Sequence, residues 1–209
     1  EELIVRLDRI AWQGKNYDWL RRQENYCIRQ RLQVEEIDPL ENPDAYREQI
    51  VPQLEEVNRQ HLAGTLHGRE LIFFEGRFDP YALRRRRLFV ASKEDKILAF
   101  VVCNPALGGE FWAIEIYRRR ADVPRGIIPF TILQVMRQLK KEGVPYASLS
   151  SVPCLRCGPP LEGDDVRFQG ICQFFWNAMN WLFDLRGIYH FKSRFRPEYR
   201  EMFLATYPK

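Results

Sequence analysis

Three consecutive cations, Arg118, Arg119 and Arg120, follow directly on an apolar and aromatic run from Phe111 to Tyr117. Asp122, Pro124 and Gly126 then turn the chain into a segment with apolar residues at helical spacing, Ile127 to Lys141. Gly143 and Pro145 stop that helix, and Tyr146 to Leu149 reads as the next strand. A strand that ends in cations and turns into a helix N-terminus is suited to hold an anionic group. Two further basic clusters, Arg84 to Arg87 and Arg186 with Lys192, Arg194, Arg196 and Arg200, favour phosphate-bearing partners. The competing reading is a solvated basic face balanced by acids, since the formal net charge is only +4.

The elements that must position these residues can be read from the pattern. Glu1 to Ile10 reads as a strand, Lys15 to Gln30 as an amphipathic helix with Tyr17, Leu20, Tyr26 and Cys27 inward, and Leu32 to Ile37 as a strand. Asp44 to Leu66 is a long polar helix that Pro52 kinks or divides. Glu70 to Phe74 is a short apolar run, and Asp79-Pro80 opens a short helix through Leu83. Leu88 to Ala91 and Ile97 to Cys103 read as strands around a polar hairpin, Ser92 to Lys96, and Asn104 to Gly109 is the next turn. Val152 to Asp165 is a loop, Phe168 to Leu185 a strongly aromatic helix, and Tyr199 to Thr206 a final strand. That aromatic helix reads first as buried against a sheet, and alternatively as an interfacial surface.

With 209 residues, 45% of them hydrophobic, the chain is long enough for one substantial core. It begins at Glu1, and we expect it to be part of a longer protein. No stretch is long and apolar enough to read as a membrane-spanning helix. Cys27, Cys103 and Cys172 stand alone and read as buried apolar residues. Cys154 and Cys157 form a single C-x-x-C, which lacks two further ligands for zinc. No metal site is expected.

From residue 88 the order is β-β-β-α-β-α-β, an α/β (α+β) arrangement with a mixed central sheet flanked by helices. It matches the core order of the GNAT acyltransferase fold. An acetyl-CoA enzyme of that fold offers successive backbone N–H groups to a pyrophosphate at the strand-to-helix turn. Here Val123 stands where the first glycine is needed, and Pro124 has no N–H to give. CoA is therefore not expected as a cofactor.

The same turn, Glu115-Ile116-Tyr117-Arg118 followed by Asp122-Val123-Pro124-Arg125-Gly126 and Ile128-Pro129-Phe130, resembles a segment of a known family. The family is the C-terminal domain of bacterial phosphatidylglycerol lysyltransferases and related aminoacyl-phosphatidylglycerol synthases, where it reads D-L-M-R, D-A-P-N-G and M-D-F. The family's closing F-K-x-K-F-x-P-x-W is similar to Phe191-Lys192-Ser193-Arg194-Phe195-Arg196-Pro197-Glu198-Tyr199. Gly76-Arg77-Phe78-Asp79, Gly14-Lys15, Leu20-Arg21 and Asn25 resemble its upstream parts. Glu115, Arg125, Pro129 and Met202 depart from the pattern.

The resemblance implies residues 1–75 as a basic helix, short strand and long helix left from a preceding GNAT-like half, and residues 76–209 as a GNAT-like aminoacyltransferase domain. It implies ester exchange from an aminoacyl-tRNA to the headgroup hydroxyl of an anionic membrane lipid, at the inner face of the cell membrane. A membrane or GNAT-like domain would precede this chain. Lys192 matches the motif lysine and is the first choice for a functional cation, with His190 as a base. Glu115 and Asp122 would recognise a donor amine, or else pair with the adjacent arginines. Arg118, Arg120, Arg125, Gly126, Arg194, Phe191 and Phe195 would bind substrate, and Arg84, Arg85, Arg86 and Arg87 RNA phosphates. Two other functions fit the residues: a GNAT-class transferase with a soluble acceptor, and a non-catalytic module that binds RNA or membrane.

Overall fold

The computed structural model describes residues 1–65, 68–70, 77–152, 162–163, 165–178 and 184–202. The apolar run at 71–74, Gly76, the Cys154–Cys157 pair, Trp181, Phe183 and the end of the last expected strand lie outside the described residues. The elements are β1 (Glu2–Arg6), α1 (Asp18–Arg29), β2 (Gln33–Ile37), the one-turn α2 (Pro43–Ala45), α3 (Val51–Ala63), β3 (Arg87–Lys93), β4 (Lys96–Ala106), β5 (Phe111–Arg119), α4 (Ile127–Lys141), β6 (Tyr146–Ser151), α5 (Val166–Ala178), α6 (Leu185–Ser193) and β7 (Glu198–Arg200). They form the expected α/β class. The chain folds as two compact units, Arg6–Ala147 and Glu1–Val5 with Ser148–Lys209. The first runs across position 75/76, where the sequence suggested a boundary.

In the first unit, β2, β3, β4 and β5 form an antiparallel meander. Leu88, Val90, Phe100, Val102 and Ile116 point to one face, where Val51, Leu54 and Val57 of α3 cover them. Alternation sends Phe89, Ala91, Ala99 and Val101, all buried, to the other face. There α4 packs on β3, β4 and β5, with ten buried residues from Ile127 to Leu139. Burial on both faces explains why β4 reads as a continuous apolar run. α1 packs on α4, and buried Glu24 accepts from Arg137 and from Gln134 (2.8 Å). Tyr26, expected inward, is 40% exposed.

Several boundaries move. The hairpin between β3 and β4 is only two residues long: Glu94 and Asp95, at φ 51° and 64°. That left-handed pair matches the twist of the strands it joins. The long helix is divided: a π-type turn, Tyr46–Ile50, precedes α3, and Pro52 sits in α3's first turn, where no N–H is needed. Asp79 to Leu83 is a turn held by Asp79, not a helix.

In the second unit, β1 pairs antiparallel with β7 through Glu2↔Arg200 to Ile4↔Glu198. The single aromatic helix expected at 168–185 is instead two helices. Asp165 caps α5, accepting from Arg167 and Phe168 N–H groups. Asp184, left-handed at φ 44°, caps α6 by accepting from Gly187 N–H (3.2 Å). α5 has no buried residue, and Val166, Phe168, Ile171 and Phe174 are exposed. The buried reading of this helix is thereby corrected, as is that of Cys172, which is half-buried.

Candidate active site

The arginines expected in a turn belong largely to β5. The ladder continues through Phe100↔Arg118 to Ala99↔Arg119, so the run alternates: Arg118 and Arg120 are buried and Arg119 is exposed. Arg118 Nε donates to Asn58 Oδ1 on α3 (3.3 Å). Asn58 Nδ2 donates to Glu70 Oε1 (3.4 Å), which also accepts from Phe78 N–H (3.2 Å). Arg120 is occupied structurally, since its Nε donates to Ile97 O (2.7 Å) and Glu56 lies 4.0 Å away.

Glu115 owes its position to a β-bulge. The register shifts between Val102↔Ile116 and Cys103↔Ile114, leaving Glu115 as the extra residue. In a regular strand Glu115 would point away from the face of Ile116 and Arg118. Instead its Oε2 accepts from Asn104, which stands two residues beyond core-facing Val102. The bulge thus brings carboxylate and guanidinium onto one face, the α3 face.

Burial, together with the charges of Arg118 and Arg119, pushes the His61 pKa down to about 4. At neutral pH it is an uncharged imidazole, one turn after Asn58. Asn58, His61, Glu70 and Asn104 escaped the sequence reading. The signal for the first two was available: they stand among Leu54 and Val57, polar side chains on the apolar stripe of α3.

Asp122 and Arg125 are exposed. Gly126 caps α4 at φ +89°, and a Cβ there would lie 2.3 Å from Gln23 Oε1 of α1. Gly126→Ala is expected to cost about 2 kcal/mol, part from the left-handed backbone and part from moving Gln23. Adding Gln23→Ala should recover only the steric part in denaturant melts. Full recovery would mean the backbone carries no strain.

In the second unit, Lys192 is 6% exposed on α6 and donates to Ser151 O (3.2 Å). His190 is exposed, and its Nε2 lies 2.8 Å from Arg194 Nη2. Phe191 and fully buried Phe195 stack edge to face at 5.7 Å, which makes Phe195 a packing residue rather than a base platform. In the four-arginine run, Arg84 and Arg85 are exposed and Arg86 is half-buried. Arg87 is engaged by Glu36 (2.5 Å) and Glu142 (2.6 Å) and lies against Phe89 and Trp112. Its guanidinium is held by the sheet, not offered to phosphate.

Strands layered by helices, with a cation-bearing strand that turns into a helix, define an acyltransferase-like α/β domain. The chain belongs to the family of the C-terminal domain of phosphatidylglycerol lysyltransferase, whose model matches residues 1–206. It is 23% identical over 207 residues to the phosphatidylglycerol lysyltransferase of Bacillus subtilis (strain 168), covering 98% of this chain and 23% of that protein. Its fold is similar to the C-terminal domain of an Agrobacterium fabrum protein assigned as a lysylphosphatidylglycerol synthetase, with TM-score 0.70, 24% identity, and 95% and 57% of the two chains covered. The L-PGS of Bacillus licheniformis is similar at TM-score 0.66 and 21% identity, with 95% and 56% covered. The chain thus spans about a quarter of the curated relative's length and little more than half of each of these solved chains.

Proposed function

We propose that this domain moves an aminoacyl group from an aminoacyl-tRNA to the headgroup hydroxyl of a phosphatidylglycerol-type lipid. The hydroxyl attacks the ester carbonyl, a tetrahedral oxyanion forms, and the tRNA ribose hydroxyl leaves with the proton that the lipid hydroxyl gave up. One ester is exchanged for another, so the balance requires neither metal nor CoA. Family membership supports the reaction class. The observation that carries the site is the bulge that puts Glu115 and Arg118 on one face, beside uncharged His61.

In this reading Glu115 and Asp122 take the donor amine, and Arg118 the developing negative charge. Lys192 is a further functional cation, and Arg84 and Arg85 meet RNA phosphates. The exposed apolar side chains of α5 support contact with a bilayer. No helix among the described residues is long and apolar enough to cross one.

The test incubates the full-length protein with radiolabelled aminoacyl-tRNAs and phosphatidylglycerol vesicles. Label is expected in the lipid phase. Label in the aqueous phase would favour a soluble acceptor, and no transfer from any donor would refute the reading. Vesicle flotation unchanged by Phe168→Ser with Phe174→Ser would remove α5 from the bilayer contact.

A further inference from the structure

The bulge leaves one polar atom without a partner. The side chain of Asn104 donates through Nδ2 to the Glu115 carboxylate. A carboxylate at neutral pH only accepts, so this contact fixes the amide's orientation and turns Oδ1 away from Glu115. Among the described residues Oδ1 is buried and accepts no hydrogen bond. Buried amide oxygens are nearly always paired, and one that is not calls for an explanation. Glu115 beside it is exposed and accessible from solvent.

We propose that Asn104 is a specificity-determining residue: its Oδ1 and the Glu115 carboxylate form an all-acceptor pair that takes a primary ammonium group of the amino-acid donor. An ammonium offers three N–H donors and a full positive charge, which matches one neutral and one anionic acceptor. A hydroxyl or a carboxylate matches them poorly. Arg118 stands further along the same face and sets the opposite polarity there, so the donor lies with its amine toward Asn104 and its ester toward the guanidinium. Asn104 ends a strand that otherwise reads as plain core, Ile97 to Cys103. The inference rests on the proposed aminoacyl donor, but its binding step is separable from transfer.

The experiment titrates the protein with lysine methyl ester and, separately, with its Nα,Nε-diacetyl derivative, which carries no ammonium. The side-chain amide resonance of Asn104 is followed by ¹H–¹⁵N NMR. It should shift and saturate with the amine and stay still with the diacetyl ester. Asn104→Leu should weaken binding of lysine methyl ester about tenfold. Glu115→Gln, which keeps shape and removes charge, should do likewise, so the test survives if one variant folds poorly. An unmoved Asn104 signal, or equal binding of the two esters, overturns the proposal. Ester binding without lipid transfer in the vesicle assay would leave it standing and refute the proposed function alone.

Discussion

Lys192→Met should lower aminoacyl transfer by about a hundredfold or more, the usual loss when a preorganised charge is removed from an acyl-transfer site. The side chain is 94% buried within its unit, at the end of α6, and donates to the Ser151 carbonyl. Placing a lysine ammonium there is costly, because burial disfavours its charged form. A packing role would be filled as well or better by methionine, which has similar length and no charge. The substitution therefore separates the two roles. Loss of the hydrogen bond to Ser151 costs about 1 kcal/mol, offset by relief of the buried charge, so the melting temperature should change little. Transfer retained within a few-fold would identify Lys192 as a packing residue.

Arg87→Met should destabilise the protein by about 2 kcal/mol at pH 7. Arg87 forms ion pairs with both Glu36 of β2 and Glu142 just past α4, and its side chain is 14% exposed. Removing it leaves two carboxylates facing each other across β3. Breaking a fully buried pair costs about 3–5 kcal/mol, and both acids are about one third exposed, so solvent screening reduces the figure. The Arg87 hydrogen bond holds the Glu142 pKa below its ordinary 4.5, against a smaller opposing effect of burial. A depressed folded pKa contributes stability that is fully present above the unfolded value and is lost as pH falls through the folded one. The gap between wild type and variant should thus be full at pH 7 and shrink below about pH 4.5. Denaturant melts at pH 7 and pH 3 measure it. An equal gap at both would assign the effect to packing against Phe89 and Trp112.

The layered α/β fold was legible because both sheet faces are buried, giving unbroken apolar strands, while α4 carries its apolar residues at helical spacing. The arginine run was legible as a motif but not as geometry. Read as a turn, it suggested three cations at one anion. As a strand, it alternates, and only Arg118 meets the Asn58–Glu70 chain while Arg120 is taken up by the Ile97 carbonyl. Arg87 was misread for a related reason: Glu36 and Glu142, its partners, lie 51 and 55 residues away in sequence. Spacing cannot reveal such long-range pairing. His61 and Asn58 sat in plain view on α3, but their meaning depends on a strand some sixty residues later.

The extra residue in β5 also changes how the motif may be compared between chains. E-x-x-R in a regular strand names two side chains on opposite faces, and the same four letters across a bulge name two on one face. A relative that keeps both residues but lacks the inserted position retains the letters without the pairing. A relative that shifts the insertion by two places can recover the pairing with different letters. Counting residues from the arginine would then align chemically unlike positions. The reliable marker of this face is the break in ladder register opposite Val102 and Cys103, rather than the identity of any one residue within it.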